Sequence, residues 1–146
     1  MFNTTLFDET TFYKKFERDL LHAKREVVIE SPFITNDRTL TLCSVFEKLV
    51  EDGVKIYVIT RDPQKHMPAM RPQAEEVIEY FERIGVQVLV TKNNHHRKLA
   101  IIDRDVLWEG SLNILSQANS REIMRRTVGD GHASKMFNFL KLGRFI

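Results

Sequence analysis

Cysteine occurs once in the 146 residues, at Cys43, so no disulfide can form within the chain. A disulfide-stapled scaffold is excluded, and a reducing compartment suits the sequence. Long hydrophobic runs are missing too. None approaches the roughly 20 apolar residues that a membrane helix needs. The opening stretch, MFNTTLFDETTFYKKF, has no basic patch followed by an apolar core, so neither a secretory signal nor a lipidation motif is expected there. The expected location is cytoplasmic, with no membrane partner. Metal-ligand spacing is absent as well. His22, His66, His95, His96 and His132 with the single Cys43 form no C-x2-C or H-x3-H pattern. A metal site is therefore set aside and no cofactor is implied. Internal repeats and low-complexity segments are also lacking. A chain of this length reads as one domain, residues 1–146, able to bury roughly 70% of its unfolded surface without staples.

Charge is present but unevenly placed. The net charge is +2, yet residues 91–146 hold ten Lys/Arg against five Asp/Glu. A basic C-terminal part suits a polyanionic ligand; a solvated surface with chance asymmetry is the plain alternative.

Helical and strand patterns alternate along the chain. Asp8 or Thr10 can cap a first helix to about Lys24, with Phe12, Phe16, Leu20 and Leu21 on one face. Glu26–Glu30 reads as a buried strand, and Asn36 or Asp37 caps a second helix that closes near Gly53. Val54–Thr60 is a second strand, then comes a loop over residues 61–72, a helix over Gln73–Ile84, and a third strand over Val86–Thr91. Short strands follow at Lys98–Ile102, Val106–Trp108 and Arg121–Val128, and a last helix at Ala133–Leu142. This order predicts an α/β fold with a mixed, mostly parallel central sheet flanked by helices on both faces. The long 61–72 loop points to function or mobility near it.

The informative residues are His96-Arg97-Lys98, then Asp103, then Gly110-Ser111-Leu112-Asn113. Side chains alternate across a strand, so His96 and Lys98 project from one face and Leu99 and Ile101 from the other. A neutral imidazole is a good nucleophile toward phosphorus, and an ammonium stabilises charge building on the non-bridging oxygens. Ser111 and Asn113 can donate to the same oxygens, and Gly110 permits close backbone approach. Phosphoryl transfer asks mainly for positioning and charge stabilisation, so no metal is required here.

The pattern His-x-Lys, four residues, Asp, six residues, Gly-Ser-x-Asn resembles the signature of the phospholipase D superfamily. His96, Lys98, Asp103, Gly110, Ser111 and Asn113 fill its positions without a gap, and Glu122 sits where related nucleases carry a glutamate that orients the histidine. The resemblance implies that fold and a two-step reaction. His96 would attack phosphorus to give a phosphohistidine, and a second histidine would protonate the leaving oxygen and then activate water. The family's site uses two copies of the motif related by a twofold axis. This sequence holds one, so the resemblance implies a homodimer with His96 of each subunit in a shared cleft. Small single-copy members are commonly nucleases, which makes a metal-independent endonuclease, on DNA rather than RNA, the first functional expectation. The stretch from Leu107 to Arg126 is also similar to domains attached to helicase or restriction modules.

Plainer roles stand beside these. Asp103 more simply bonds a turn than takes part in catalysis, and Ser111 and Asn113 can act as turn formers. Glu122 can instead pair with Arg121, Arg125 or Arg126. His95 lacks a partner at motif spacing and reads as a surface or hinge residue. Arg61, Lys92, Arg121, Arg125 and Arg126 are candidate substrate contacts, with Lys65 and His66 in a segment able to reach the cleft. Two competing functions remain: a phospholipid phosphodiesterase or phosphatidyltransferase, which would show an amphipathic anchor or an exposed apolar rim, and a non-catalytic nucleic-acid-binding module.

Overall fold

The alternating patterns become seven strands and four helices in a computed structural model that describes residues 1–65, 68 and 71–146. The order is β1 (Phe2–Asp8), α1 (Phe12–Leu21), β2 (Glu26–Glu30), α2 (Asn36–Glu51), β3 (Lys55–Arg61), α3 (Arg71–Ile84), β4 (Gln87–Thr91), β5 (Leu99–Ile102), β6 (Val106–Gly110), β7 (Ile123–Gly129) and α4 (His132–Phe139). Short 3-10 turns cover Pro63–Lys65 and Leu142–Phe145. Within the predicted 61–72 loop, Pro63–Lys65 form a 3-10 turn and Arg71 already belongs to α3; His66 lies outside the described residues.

All seven strands form one sheet in the order β1-β7-β6-β5-β2-β3-β4. The expected mixed α/β architecture is present, but its parallel share is smaller than the sequence suggests. Only β2–β3 and β3–β4 pair parallel, and the other four neighbours pair antiparallel. The parallel pairs are those whose strands are separated by a helix, as a crossover requires; β5, β6 and β7 lack intervening helices.

Side-chain alternation sorts the core into two layers. Val27, Ile29, Ile56, Val58, Ala100, Ile102 and Trp108 face α1, α2 and α3, meeting Phe12, Phe16, Phe46 and Phe81 in one buried cluster. Val28, Tyr57, Ile59, Leu99, Ile101 and Leu107 face the other way and pack under Ala133 and Phe137 of α4. Helices therefore lie on both faces, and β2 is buried on both, in keeping with its unbroken apolar run.

β1 is the one strand with no counterpart in the sequence reading. It is an edge strand, exposed along most of its length, so its sequence shows no buried alternation. The first helix accordingly starts later than predicted, with Thr11 as its N-cap residue. Asp8 organises the connection by accepting the backbone N–H groups of Thr10 and Thr11 at 2.9 and 3.1 Å. Among the described residues no helix is long and apolar enough to cross a membrane.

Gly110 shows why the motif carries a glycine. A Cβ there would stand 2.1 Å from the Ile123 carbonyl oxygen and 2.9 Å from the Met124 Cα. The missing side chain lets β6 and β7 close together and brings the residues just before β7 beside those just before β5.

Candidate active site

His96 and Lys98 sit on an irregular segment immediately ahead of β5, which begins at Leu99, one residue later than predicted. They still share one side. The Lys98 ammonium lies 2.9 Å from His96 Nδ1 and donates to the His96 carbonyl at 2.7 Å. An ammonium only donates, so in this contact the ring nitrogen facing it is the acceptor. His96 is exposed, while Lys98 is half-buried. Burial pushes the Lys98 pKa below its ordinary 10.5, and the nearby Glu122 carboxylate acts in the opposite sense.

Glu122 precedes β7 and completes one wall. Its pKa is held below the usual value, first by the Ser111 hydroxyl, then by that of Ser120, with Lys98 adding to them and burial opposing. Ser111 Oγ accepts the Ile123 N–H at 3.0 Å, and the Glu122 N–H is tied to the Glu9 carboxylate at 2.9 Å. Asn113 has its side-chain oxygen buried with no hydrogen-bond donor among the described residues. Lys98, Gly110 and Arg125 then open onto a cleft of about 540 Å3, with Leu6, Ile123, Met136 and Leu140 along it.

A second constellation holds the segment from behind. The Glu30 carboxylate, the last residue of β2, is 0% exposed. Arg97 grips it with two parallel bonds, Nε to Oε2 at 2.9 Å and Nη2 to Oε1 at 2.7 Å. Such a fork fixes direction as well as distance. His95 Nε2 lies 3.9 Å from the same carboxylate. His95 and Arg97 thus turn toward Glu30, while His96 and Lys98 turn toward each other. Arg97→Ala leaves a fully buried carboxylate without its cation. Because the Arg97 side chain is 45% exposed, the expected cost is about 3 kcal/mol, the low end for breaking a buried pair. Urea denaturation of the variant checks this.

The family described as "Cardiolipin synthase, PLD-like domain" matches residues 16–133. The chain belongs to the PLD-like family of the phospholipase D superfamily. It is thereby a phosphodiesterase-type domain. No curated protein sequence matches it. Solved structures give the same fold at low identity. NucT from Helicobacter pylori is 18% identical with a TM-score of 0.77, the match covering 97% of this chain and 94% of that one. The phospholipase D family member Nuc from Salmonella typhimurium is 12% identical with a TM-score of 0.76, covering 99% and 95%. Phosphatidylserine synthase from Haemophilus influenzae is 14% identical with a TM-score of 0.65, and there the match spans 97% of this chain but 38% of the other.

Within this PLD-like domain, the fold brings together His96, Lys98, Ser111 and Glu122, but not every residue singled out from the sequence. Asp103 lies at the opposite end of β5, where its carboxylate accepts the backbone N–H groups of Lys24, Arg25 and Glu26 at 2.8–3.0 Å. Its role is to clamp the start of β2, and it stands apart from the reaction centre. Arg126 is also withdrawn. It forks onto Asp19 at 2.7 and 2.9 Å, and Asp19 accepts the Trp108 indole N–H at 2.8 Å. That pair locks α1 to β6 and β7 and leaves Arg126 no freedom to follow a substrate. Arg61 donates to Asn94 at 3.2 Å, close to the His96 segment. Lys92 and Arg121 are exposed nearby in sequence, and Arg125 lines the cleft with Lys98. Glu122 makes no hydrogen bond to His96; in this arrangement it acts on Lys98 and the two serines. His95 is a further correction: it is 9% exposed, a buried residue and not a surface one. Glu30, Arg97 and buried His95 were the contributors that sequence reasoning missed. The glutamate ending an otherwise apolar strand was the available signal, since a carboxylate in that position needs a partner.

Proposed function

We propose that this PLD-like domain is a metal-independent nuclease that cleaves phosphodiester bonds through a phosphohistidine at a homodimer interface. The observation that carries the reading is the Lys98 ammonium within hydrogen-bond distance of the His96 imidazole, 2.9 Å from Nδ1. A phosphate oxygen that replaces His96 as the acceptor of Lys98 frees the imidazole lone pair and places phosphorus beside it. The His96 nitrogen then forms a bond to phosphorus as the bond to the leaving oxygen breaks. That oxygen takes a proton from His96 of the partner subunit, which enters the step as the imidazolium and leaves it as the neutral base. In the second half, water attacks the phosphohistidine, passes a proton to the partner's imidazole, and His96 is released with its lone pair restored. Lys98 neutralises the oxygens throughout, with Asn113 and Ser111 at hand, which is the part a metal cation would otherwise take.

Two features support nucleic acid as the substrate. Arg125 shares the cleft with Lys98 and Arg97, and the basic stretch from residue 91 onward also carries Lys92 and Arg121. The chain also matches nearly the whole length of NucT and Nuc, both compact relatives, and only a part of the phosphatidylserine synthase. These residues hold one motif copy, and in this reading the second imidazole comes from a second subunit.

One observation favours a second reading. Leu6 and Ile123 along the cleft are 65% and 68% exposed, and Phe139 on α4 is 81% exposed. In the nuclease reading this apolar rim is covered by the partner subunit; in a phosphatidyl-transferring enzyme it would meet lipid chains. Incubation with labelled single- and double-stranded DNA and RNA in excess EDTA, beside phosphatidylglycerol vesicles, separates the two. We expect nucleic-acid cleavage undiminished by EDTA and no phospholipid turnover. Cleavage lost in EDTA and regained with a divalent cation contradicts the mechanism, and turnover of vesicles alone selects the lipid reading.

A further inference from the structure

We propose that a polar pocket beside His96, walled by Asn93, Asn94, His95, Arg97, Arg144 and Phe145, holds one unpaired nucleobase next to the bond being cut. The inference rests on the nuclease reading and narrows its substrate, because a base can enter only where the strand is unstacked.

The pocket is distinct from the apolar cleft. It has a volume of about 280 Å3, and His96 itself is part of its rim. A group seated in it is therefore a neighbour of the phosphorus that His96 attacks. It lies at the carboxyl ends of the parallel strands, with Glu30, Ile59 and Thr91 of β2, β3 and β4 forming its floor. That end of an α/β sheet is where such folds open a crevice for ligands.

Its chemistry suits a neutral ligand with both donors and acceptors. His95 Nε2 is buried and has no hydrogen-bond partner among the described residues, because 3.9 Å to Glu30 is too long for one. A buried polar atom left open in this way calls for a partner from outside the chain. Burial depresses the His95 pKa, with Glu30 opposing. Burial thus favours the neutral ring, whose open Nε2 serves as donor or acceptor according to the tautomer. Asn93 and Asn94 add amides; the Asn94 oxygen is already taken by Arg61, which leaves its NH2 group to donate. A phosphate would want donors alone. It would also meet the fully buried Glu30 carboxylate, whose charge already occupies Arg97. A base edge matches this mixture.

The remaining wall supplies a flat surface. The Arg144 guanidinium lies over the Phe145 ring, 4.6 Å from its centroid. Aromatic and guanidinium planes are what unpaired bases stack upon. A base within a duplex has its edge engaged by its complement and its faces by its neighbours, so it reaches such a pocket only by leaving the stack.

The test uses a single-stranded oligonucleotide whose cut position has been mapped, and versions carrying an abasic nucleotide on either side of that position. The expected result is a fall in kcat/KM of about 10- to 100-fold for one of the two flanking positions, the scale of one lost base stack with its hydrogen bonds. Asn93→Ala should slow cleavage of the intact strand and leave the abasic strand unchanged. Asn93 is exposed, so the variant keeps its fold, and a thermal melt verifies that. A duplex of the same sequence should be cut slowly, and a single-nucleotide bulge at the sensitive position should restore the rate. Cleavage indifferent to both abasic positions, or Asn93→Ala slowing both strands alike, removes the pocket while the nuclease reading stands. Failure to cut any nucleic acid removes the nuclease reading and its occupant together.

Discussion

Replacing His96 with alanine is expected to reduce turnover by about 10^5- to 10^6-fold, the scale seen when a nucleophile is deleted from a catalytic unit. The loss should come without unfolding. His96 is exposed, and its side chain bonds only to Lys98. Substitutions at such positions cost within about 0.5 kcal/mol. Single-turnover cleavage beside a urea midpoint separates chemistry from stability. In the wild-type enzyme, rapid quenching during turnover should capture substrate joined to His96 through an acid-labile phosphorus–nitrogen bond. The adduct should be absent from the alanine variant. A variant that retains more than a small fraction of activity would assign the nucleophile elsewhere.

Lys98→Met keeps the apolar stem and removes the charge. The expected loss in kcat is about 10^3-fold, the upper end for deleting one oxyanion partner, because this partner is charged. The same residue sets a pH dependence. Lys98 stabilises oxygens only while protonated, so activity is present at lower pH and falls as pH rises through its pKa. Burial places that limb below the ordinary lysine value of 10.5. Glu122 holds the limb up, since its negative charge favours the ammonium. Glu122→Gln is therefore expected to move the alkaline limb of the kcat profile to lower pH. An unmoved limb would detach Glu122 from Lys98, and a limb moved upward would reverse the assigned electrostatics.

The contrast between Lys98 and Arg126 shows how far the sequence reaches. The His-x-Lys and Gly-Ser-x-Asn spacings are local, and local geometry alone sets His96 beside Lys98. Convergence with Glu122 needs β6 and β7 to close at Gly110, and that glycine is itself in the motif. Arg126 carries the same charge as the cleft residue Arg125, yet it is spent on Asp19, 107 positions away. Nothing in its neighbourhood announces that partner. His95 is a similar case. Its burial depends on Glu30 and Arg97, a pair 67 positions apart. β1 escaped detection because an edge strand is defined by its pairing with β7 and not by its own pattern. The proportion of parallel strands was hidden for the same reason: strand order follows from long-range pairing, whereas element type follows from local periodicity.

The most direct test of the shared reaction centre mixes subunits. Wild type and His96→Ala chains, unfolded and refolded together in equal amounts, form wild-type, mixed and variant dimers at random. If each reaction draws one imidazole from each subunit, the mixed dimers are silent and activity falls to roughly a quarter of that of wild type alone. Activity near one half, with the mixed species cutting at half rate, would mean that each subunit works by itself.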